Sequence, residues 1–429
     1  MNAPPLIYNL FPRLVGPVTR WPEHAARARE MGFNWLYVNP WHAPGFSGSL
    51  YAVKEPRRLN PLFTPPGGDP ADLGPLREAL GVIAGMGLRP MMDLVVNHTA
   101  KDAPLIRQHP EWFVRDERGE VQSPFAVDPD DPTKKTVWGD LAEVDNEHAG
   151  NRGALWAYWA DLVRLGVELG FRGFRCDAAY MVPEGLWRHL IATAREEHPD
   201  VVFFAETLGG PVENIPRLVD AGFDYWFNSS KYWNFSERWP LEQNQKFSRY
   251  PSISFPESHD TDRLAAETDG DEAVQRQRYA FAAGFSAGTM MPVGYEFGFR
   301  RRVNVVETVP SDWERRWVDL RGFVGRVNRV KTRHPLLHGE GAIREVFGVD
   351  GDVLVLERRA ADGGRGWIVI NKVWAEPREV RFDFAPTDGS YRLFRVCRDG
   401  SSDTGEELPA AVTLDRAEVA YVLPAEAAR

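Results

Sequence analysis

The stretch that decides the fold is Phe171–Asp177, FRGFRCD, read with Asp200–Glu206, DVVFFAE. Each is a short apolar run that ends in one acid, Asp177 in the first and Glu206 in the second, with Arg175 two residues before Asp177. Burying a carboxylate without a partner is costly. Such a run therefore makes physical sense where the acid emerges at a strand tip and a site can use it. Two ordinary salt-bridging acids are the alternative, and the surrounding chain decides between them.

Working outward, strand-like and helix-like segments alternate. Runs starting near Leu6, Asn34, Leu88, Phe174, Val201, Phe223, Ile253 and Thr289 read as strands. Between them, helical patterns cover Trp21–Met31, Asp69–Gly85, Leu155–Gly170, Gly185–His198, Val212–Ala221 and Ala273–Gly288, with a last one from Asp312 to about Thr332. Asp69 reads as an N-cap, with Pro70 at the first helical position. Stop glycines such as Gly32 and Gly87 precede the next strand. This is the rhythm of a parallel sheet, and eight βα units over about 335 residues fit a (β/α)8 barrel with insertions. An open doubly wound sheet is the alternative, but no glycine fingerprint follows the first strand.

The rhythm breaks over residues 97–151, rich in Asp, Pro, Glu and Gly. A structureless loop of that length is unusual, so a small inserted subdomain is expected there. The domain reading is barrel over 1–96, insert over 97–151, barrel again over 152–335, and a C-terminal all-β sandwich over 336–429. The last part shows short alternating runs (VLVLERR, GWIVINK, EVRFDF, YRLFRV, EVAYVL) separated by turn residues.

Composition narrows the function. The formal net charge of −10 argues against nucleic acid and anionic membrane as partners. Fifteen Trp and twelve Tyr suit stacking on flat apolar faces such as sugar rings, besides filling cores. Cys176 and Cys397 stand far apart with no metal spacing, so no disulfide framework is expected. The N-terminus carries no secretory signal pattern and no apolar run reaches membrane-spanning length. The expected compartment is the cytoplasm; oligomeric state is not readable.

Residues at the C-terminal ends of barrel strands converge on one mouth. Those positions hold Asp93, Asn97 and His98 after strand three, Arg175 and Asp177 after strand four, Glu206 after strand five, and Glu257, His259 and Asp260 after strand seven. Two carboxyls about 5 Å apart suit retaining glycoside chemistry, one as nucleophile and one as acid then base. An adjacent Arg keeps a nucleophile ionised. A protonated partner needs a raised pKa, which neighbouring like charges provide. Histidines can bond sugar hydroxyls, and a third carboxylate favours a positively charged transition state. Neither His98 nor His259 has a His or Glu at helical spacing, so no metal-ligand pattern is read.

These motifs resemble those of the α-amylase superfamily, glycoside hydrolase family 13, over nearly the whole chain. DLVVNH (Asp93–His98), GFRCD (Gly173–Asp177), FAE (Phe204–Glu206) and ESHD (Glu257–Asp260) are similar to its four motifs, in order. Ser49–Phe63 and Gly288–Gly298 resemble two further ones. The resemblance implies Asp177 as nucleophile, Glu206 as general acid/base and Asp260 as transition-state stabiliser. It further implies Arg175, His98, His259 and Tyr51 as substrate-binding groups, with Tyr51 stacking on the reacting sugar. It departs from the amylases at Tyr180 and Met181, where they carry Lys-His, and at ETLGG after the third motif. Acceptor binding is expected to differ there, with Tyr180 as a contact. No cofactor is expected; calcium is the one the resemblance raises, through Asn97 with Asp128, Asp130, Asp131 and Asp140, but these acids lack a convincing ligand spacing.

The implied activity is retaining cleavage of an α-glucosidic bond in an α-glucan or α-linked oligosaccharide, by hydrolysis or transfer. A maltosyl- or glucanotransferase, including one with a sugar-phosphate donor, and a disaccharide isomerase would use the same site. A non-catalytic sugar-binding protein is a further alternative, disfavoured because all three acids are present.

Overall fold

The computed structural model describes residues 3–127, 133–210, 212–360, 362–386 and 388–425. Eight parallel strands close into a barrel: β1 (Leu6–Leu10), β2 (Trp35–Val38), β3 (Arg89–Leu94), β4 (Gly173–Cys176), β5 (Val202–Ala205), β6 (Tyr225–Phe227), β7 (Ser252–Ser254) and β8 (Gly288–Pro292). Each pairs with its neighbours in sequence, and β8 closes on β1. This is the (β/α)8 architecture expected from the sequence rhythm. Barrel strands are buried on both faces, which is why they read as continuous apolar runs rather than alternating ones.

The period of two inside the strands builds the site. Inward positions at the lower levels are apolar: Ile7, Trp35, Met91, Phe204, Phe227, Ile253 and Met290 form one interior cluster. Two residues further along, the same faces carry Asn9, Tyr37, Asp93, Arg175 and Glu206, so the filling turns polar as it nears the mouth. At the bottom of β4, a Cβ on Gly173 would stand 2.5 Å from Cζ3 of Trp35 and 3.1 Å from Met91. The indole occupies the space that a side chain at position 173 would need.

Helices cover the outside, and several start later than their sequence pattern. The helix between β2 and β3 runs Gly74–Gly85, with Pro75 in its first turn. Asp69 instead closes a short turn by accepting from the Ala71 N–H at 2.9 Å, and Asp72 accepts from Gly74 N–H at 2.8 Å. Val212–Asn214 is a 3₁₀ turn before the helix Ile215–Asp220, where Pro216 restricts the preceding residue. The last barrel helix is Arg321–Arg333; ahead of it, Trp313 packs on Phe299 and His24. The sequence reading passed over the helix Trp239–Phe247 between β6 and β7, although Leu241, Asn244 and Phe247 bury one face at helical spacing.

Between β3 and the helix Arg152–Leu169, two small antiparallel pairs form, His98–Ala100 with Leu141–Glu143 and Phe125–Val127 with Lys135–Val137. The C-terminal part is antiparallel. A six-stranded sheet has the order 342–347, 353–359, 365–371, 419–424, 391–394, 406–407, and 378–381 pairs with 411–414. The first strand of that sheet, Ala342–Phe347, was not among the expected runs.

Candidate active site

At the barrel mouth, Arg175 is the hub. It is register partner to Asp93 on β3, and its Nη1 donates to Asp93 Oδ1 at 3.0 Å, to Asp93 Oδ2 at 3.1 Å and to Asp177 Oδ1 at 2.8 Å. Its Nη2 stands 4.0 Å from Asp260 Oδ2. One buried guanidinium thus faces three carboxylates. Asp93 is fully enclosed and also accepts from the hydroxyls of Tyr37 and Tyr51, each at 2.6 Å.

Asp177 and Glu206 occupy the next rung of adjacent strands. Cys176 pairs with Ala205 in the β4–β5 register, and Glu206 N–H donates to the Cys176 carbonyl at 3.0 Å. Neighbouring strands lie about 4.8 Å apart, so the register alone brings the two acids together. Beyond Asp177 the chain turns sharply: Ala178 has φ 42 and ψ 47, a left-handed conformation that costs a non-glycine residue about 1–2 kcal/mol. The turn aims the Ala178 N–H at Glu206 Oε2 (3.0 Å), while Leu208 N–H donates to Oε1 at 2.6 Å.

The electrostatics separate these acids. Burial pushes the Glu206 pKa up to about 8; Arg175 opposes this, and Asp177 and Asp260 add to it. Like charges were expected to be the source of such a shift, whereas removal from water is the larger cause. For Asp177 burial also pushes upward, but Arg175 acts against it directly by charge and by hydrogen bond. Asp260 is half exposed, with its Oδ2 at 3.1 Å from His259 Nε2.

The remaining expected residues surround this centre. Tyr51 bonds His259 Nε2 at 2.7 Å, and the two rings stack with centroids 5.8 Å apart and planes within 4°. His98 lies behind the same loop, donating from Nε2 to the Tyr51 carbonyl at 3.2 Å; burial pulls its pKa down to about 4, so it is neutral. Tyr180 borders the acids, its hydroxyl raised to about 12 by burial first and then by Glu206 and Asp177. Glu257, expected at the mouth, points elsewhere: it binds Arg263 Nη1 at 2.7 Å and Leu264 N–H at 2.6 Å in a closed internal pair.

Sequence reasoning passed over Tyr37, Asn39 and Asn9. Asn9 donates to Asn39 Oδ1 at 2.9 Å, and Asn39 donates to the hydroxyls of Tyr51 (3.1 Å) and Tyr37 (3.2 Å). This chain of bonds fixes both tyrosines on Asp93. The signal available was period two in IYN and YVN, polar groups on the inward face of strands otherwise apolar.

For calcium, Asn97 Oδ1 is buried without a hydrogen-bond partner among the described residues, but Asp140 is bonded to Ser47 at 2.6 Å. Asp128, Asp130 and Asp131 lie outside the described residues. Among the described residues no three His, Cys, Asp or Glu gather as a metal cluster.

Known proteins share sequence or fold with this chain. A family model described as glycogen debranching enzyme, glucanotransferase domain, matches residues 6–117. An α-1,4-glucan:maltose-1-phosphate maltosyltransferase of Burkholderia pseudomallei is 26% identical over 413 residues, covering 92% of this chain and 36% of that protein. The α-amylase of Lactobacillus plantarum superposes with a TM-score of 0.75 at 20% identity, covering 97% of this chain and 98% of the other. The chain has the (β/α)8 fold of that α-amylase. A second solved structure with this fold, the isomaltulose synthase of Klebsiella sp. LX3, superposes with a TM-score of 0.74 at 13% identity, covering 98% of both chains. A maltosyltransferase of Cereibacter sphaeroides is 32% identical over 211 residues, 46% of this chain and 30% of that protein. The chain thus spans about a third of the length of these two curated relatives.

Proposed function

We propose that this protein is a retaining enzyme acting on α-glucosidic bonds. The observation that carries the proposal is the pairing of Asp177 and Glu206 on one rung, with Arg175 hydrogen-bonded to Asp177 while burial raises the Glu206 pKa to about 8. Asp177, with Oδ1 held by Arg175, attacks the anomeric carbon through Oδ2. Glu206, neutral below about pH 8, gives its proton to the leaving oxygen as that carbon–oxygen bond breaks. The Ala178 and Leu208 N–H groups then stabilise the carboxylate left behind. In the second step water or a sugar hydroxyl attacks the glycosyl ester, Glu206 takes its proton, and Asp177 is released. Asp260 favours the positive charge of the transition state, and Tyr51, His259, His98 and Tyr180 bind or shape the sugar.

Transfer to a sugar is the second reading, supported by the names of the maltosyltransferase relatives; isomerisation of a disaccharide would be transfer within the site. An α-glucan or α-linked oligosaccharide is the proposed substrate. Both cysteines are free, which suits a reducing cytoplasm, and among the described residues no helix is long and apolar enough to cross a membrane.

Product analysis tests the proposal. The protein is incubated with maltose, malto-oligosaccharides, trehalose, sucrose and maltose 1-phosphate, with and without acceptor, and products are read by anomer-resolved NMR. Products that keep the α configuration are expected, and inversion would overturn the mechanism. Products longer than the substrate identify a transferase. Glu206→Gln is expected to lower kcat/KM by about 10²–10⁴-fold.

A further inference from the structure

Of the three acids, Asp260 is the one least held through its side chain. Its carboxylate is half exposed, with His259 Nε2 at 3.1 Å and Arg175 Nη2 at 4.0 Å from Oδ2. Asp177 and Glu206 each accept hydrogen bonds of 3.0 Å or less. The aim of the Asp260 carboxylate then rests on its backbone. Within the turn after β7, Asp260 N–H donates to Ser258 Oγ at 3.2 Å, and Ser258 N–H donates to Thr261 Oγ1 at 3.0 Å. From outside that turn, Arg302 of the loop after β8 donates from Nη2 to the Asp260 carbonyl at 2.6 Å.

The loop that carries Arg302 is itself anchored. Arg300 and Arg301 N–H both donate to Glu314 Oε1, at 3.0 and 2.7 Å. Buried Arg263, which follows Asp260 in the chain, donates from Nε to the Arg301 carbonyl at 3.2 Å and from Nη2 to the Val293 carbonyl at 3.0 Å. Its Nη1 holds Glu257, the buried acid that the catalytic reading leaves without a role. The turn after β7 thus reaches the loop after β8 through Arg263, and that loop reaches back through Arg302. The two bonds form a reciprocal clasp.

Arg302 serves geometry rather than charge. Its bond to Asp260 goes to a carbonyl, and its Nη1 faces Asp262 Oδ1 at 3.4 Å. A bare cation beside a centre that develops positive charge would oppose the reaction, and the Asp262 carboxylate offsets it. The planar fork of an arginine lets one nitrogen take the carbonyl while the other takes the acid.

We infer that Arg302 is a positioning residue, which holds the Asp260 backbone so that the Asp260 carboxylate faces the bond being broken. The inference rests on the α-glucosidic reading above and names what aims its third acid. Asp260 acts on charge present only in the transition state, so misplacing it lowers kcat and kcat/KM together and spares KM. The wild type, Arg302→Ala, Arg302→Lys and Arg315→Ala are assayed on the best substrate from the product analysis. Amide hydrogen exchange of residues 258–262 is followed in the first two. Arg302→Ala is expected to lower kcat about 10–100-fold, the scale of a misplacement of about 1 Å, with KM within about twofold of the wild type. Its exchange at 258–262 is expected to quicken. Arg302→Lys keeps a donor and a positive charge, and its kcat is expected to lie between those of Arg302→Ala and the wild type. Arg315→Ala removes an exposed cation that stacks on Trp317 and is expected to match the wild type. A KM that rises while kcat holds would make Arg302 a substrate contact, and an equal kcat loss in Arg315→Ala would assign the effect to surface charge. Either result overturns the inference, as does a kcat loss without faster exchange. If α-glucosides are turned over and kcat is unchanged in Arg302→Ala, the clasp fails and the reading stands. Faster exchange in a protein that turns over no α-glucoside sinks the reading and leaves the clasp, and absence of both sinks both.

Discussion

At the scale of the residue, Glu206 carries the sharpest consequence. Its carboxyl is buried and its pKa is pushed up from 4.5 to about 8, so the protonated form needed by a general acid is present at neutral pH. Activity is therefore expected to fall as pH rises through about 8, and to fall again at low pH as Asp177, itself raised above 3.8, takes up a proton. A kcat/KM profile checks this, and an alkaline limb far from 8 would contradict it. Stability follows the same proton. A carboxyl whose folded pKa exceeds its unfolded one contributes stability that is fully present below the unfolded value, about 4.5, and is lost as pH rises through about 8. Glu206→Gln removes that loss. At about 1.4 kcal/mol per pH unit, the variant is expected to gain roughly 2–3 kcal/mol on the wild type between about pH 6 and about pH 9. Urea unfolding of both proteins at each pH measures it, and an equal difference at the two values would refute it. The acid itself was legible from a single apolar run ending in Glu. The cause of its shift was not, because burial depends on the closing of loops that sequence does not order in space.

At the scale of the element, β4 shows how one strand serves both packing and chemistry. Gly173, Arg175 and Asp177 point inward in turn: space for Trp35, a cation for Asp93, then the candidate nucleophile. The close approach of Trp35 Cζ3 to position 173 makes Gly173→Ala an overpacking change, expected to cost about 1–3 kcal/mol. Chemical denaturation reads it, and the tilt it forces on the indole is expected to disturb Arg175 one level above. The barrel strands were legible because two-sided burial leaves an unbroken apolar run closed off by turn residues. Helix starts were less so: Asp69-Pro70 and Gly74-Pro75 carry the same local signature, and only the second begins a helix. The Asn9–Asn39–Tyr37 chain was harder still. Each is one polar residue in an apolar run, and they become a unit only when the closed barrel sets β1, β2 and β3 side by side.

At the scale of the whole molecule, the C-terminal sheet is bound to the barrel through alternate faces of the same strands. Leu354, Leu356, Ile368, Ile370 and Tyr421 join the barrel's core cluster, while Val355, Trp367, Val369, Ala420 and Val422 pack on the other side with Val380 and Leu414. The seam is closed by two long basic side chains, Arg358 and Lys331. The helix Glu272–Phe285 ends beneath the sheet, where its last carbonyls have no partner within the helix. Arg358, buried in the sheet, donates from Nη1 to Gly284 O at 3.1 Å and Phe285 O at 2.6 Å, and from Nε to Leu336 O at 3.0 Å. Lys331 Nζ donates to Ala283 O, Ser286 O and Leu337 O at 2.7–2.8 Å. Arg358 sits where the helix dipole is negative and keeps its charge although burial pulls its pKa down to about 10, whereas burial lowers the Lys331 pKa well below that of a free lysine. Arg358→Met preserves much of the volume but strands these carbonyls and leaves Glu340, whose pKa Arg358 lowers, without that cation. The expected loss is about 3–5 kcal/mol, read from the denaturant midpoint. Arg381→Ala, which removes an exposed pair with Asp383 at 3.0 Å, is expected to move the midpoint far less. If the two variants unfold at the same denaturant concentration, the seam is held by its apolar faces and Arg358 adds nothing to it.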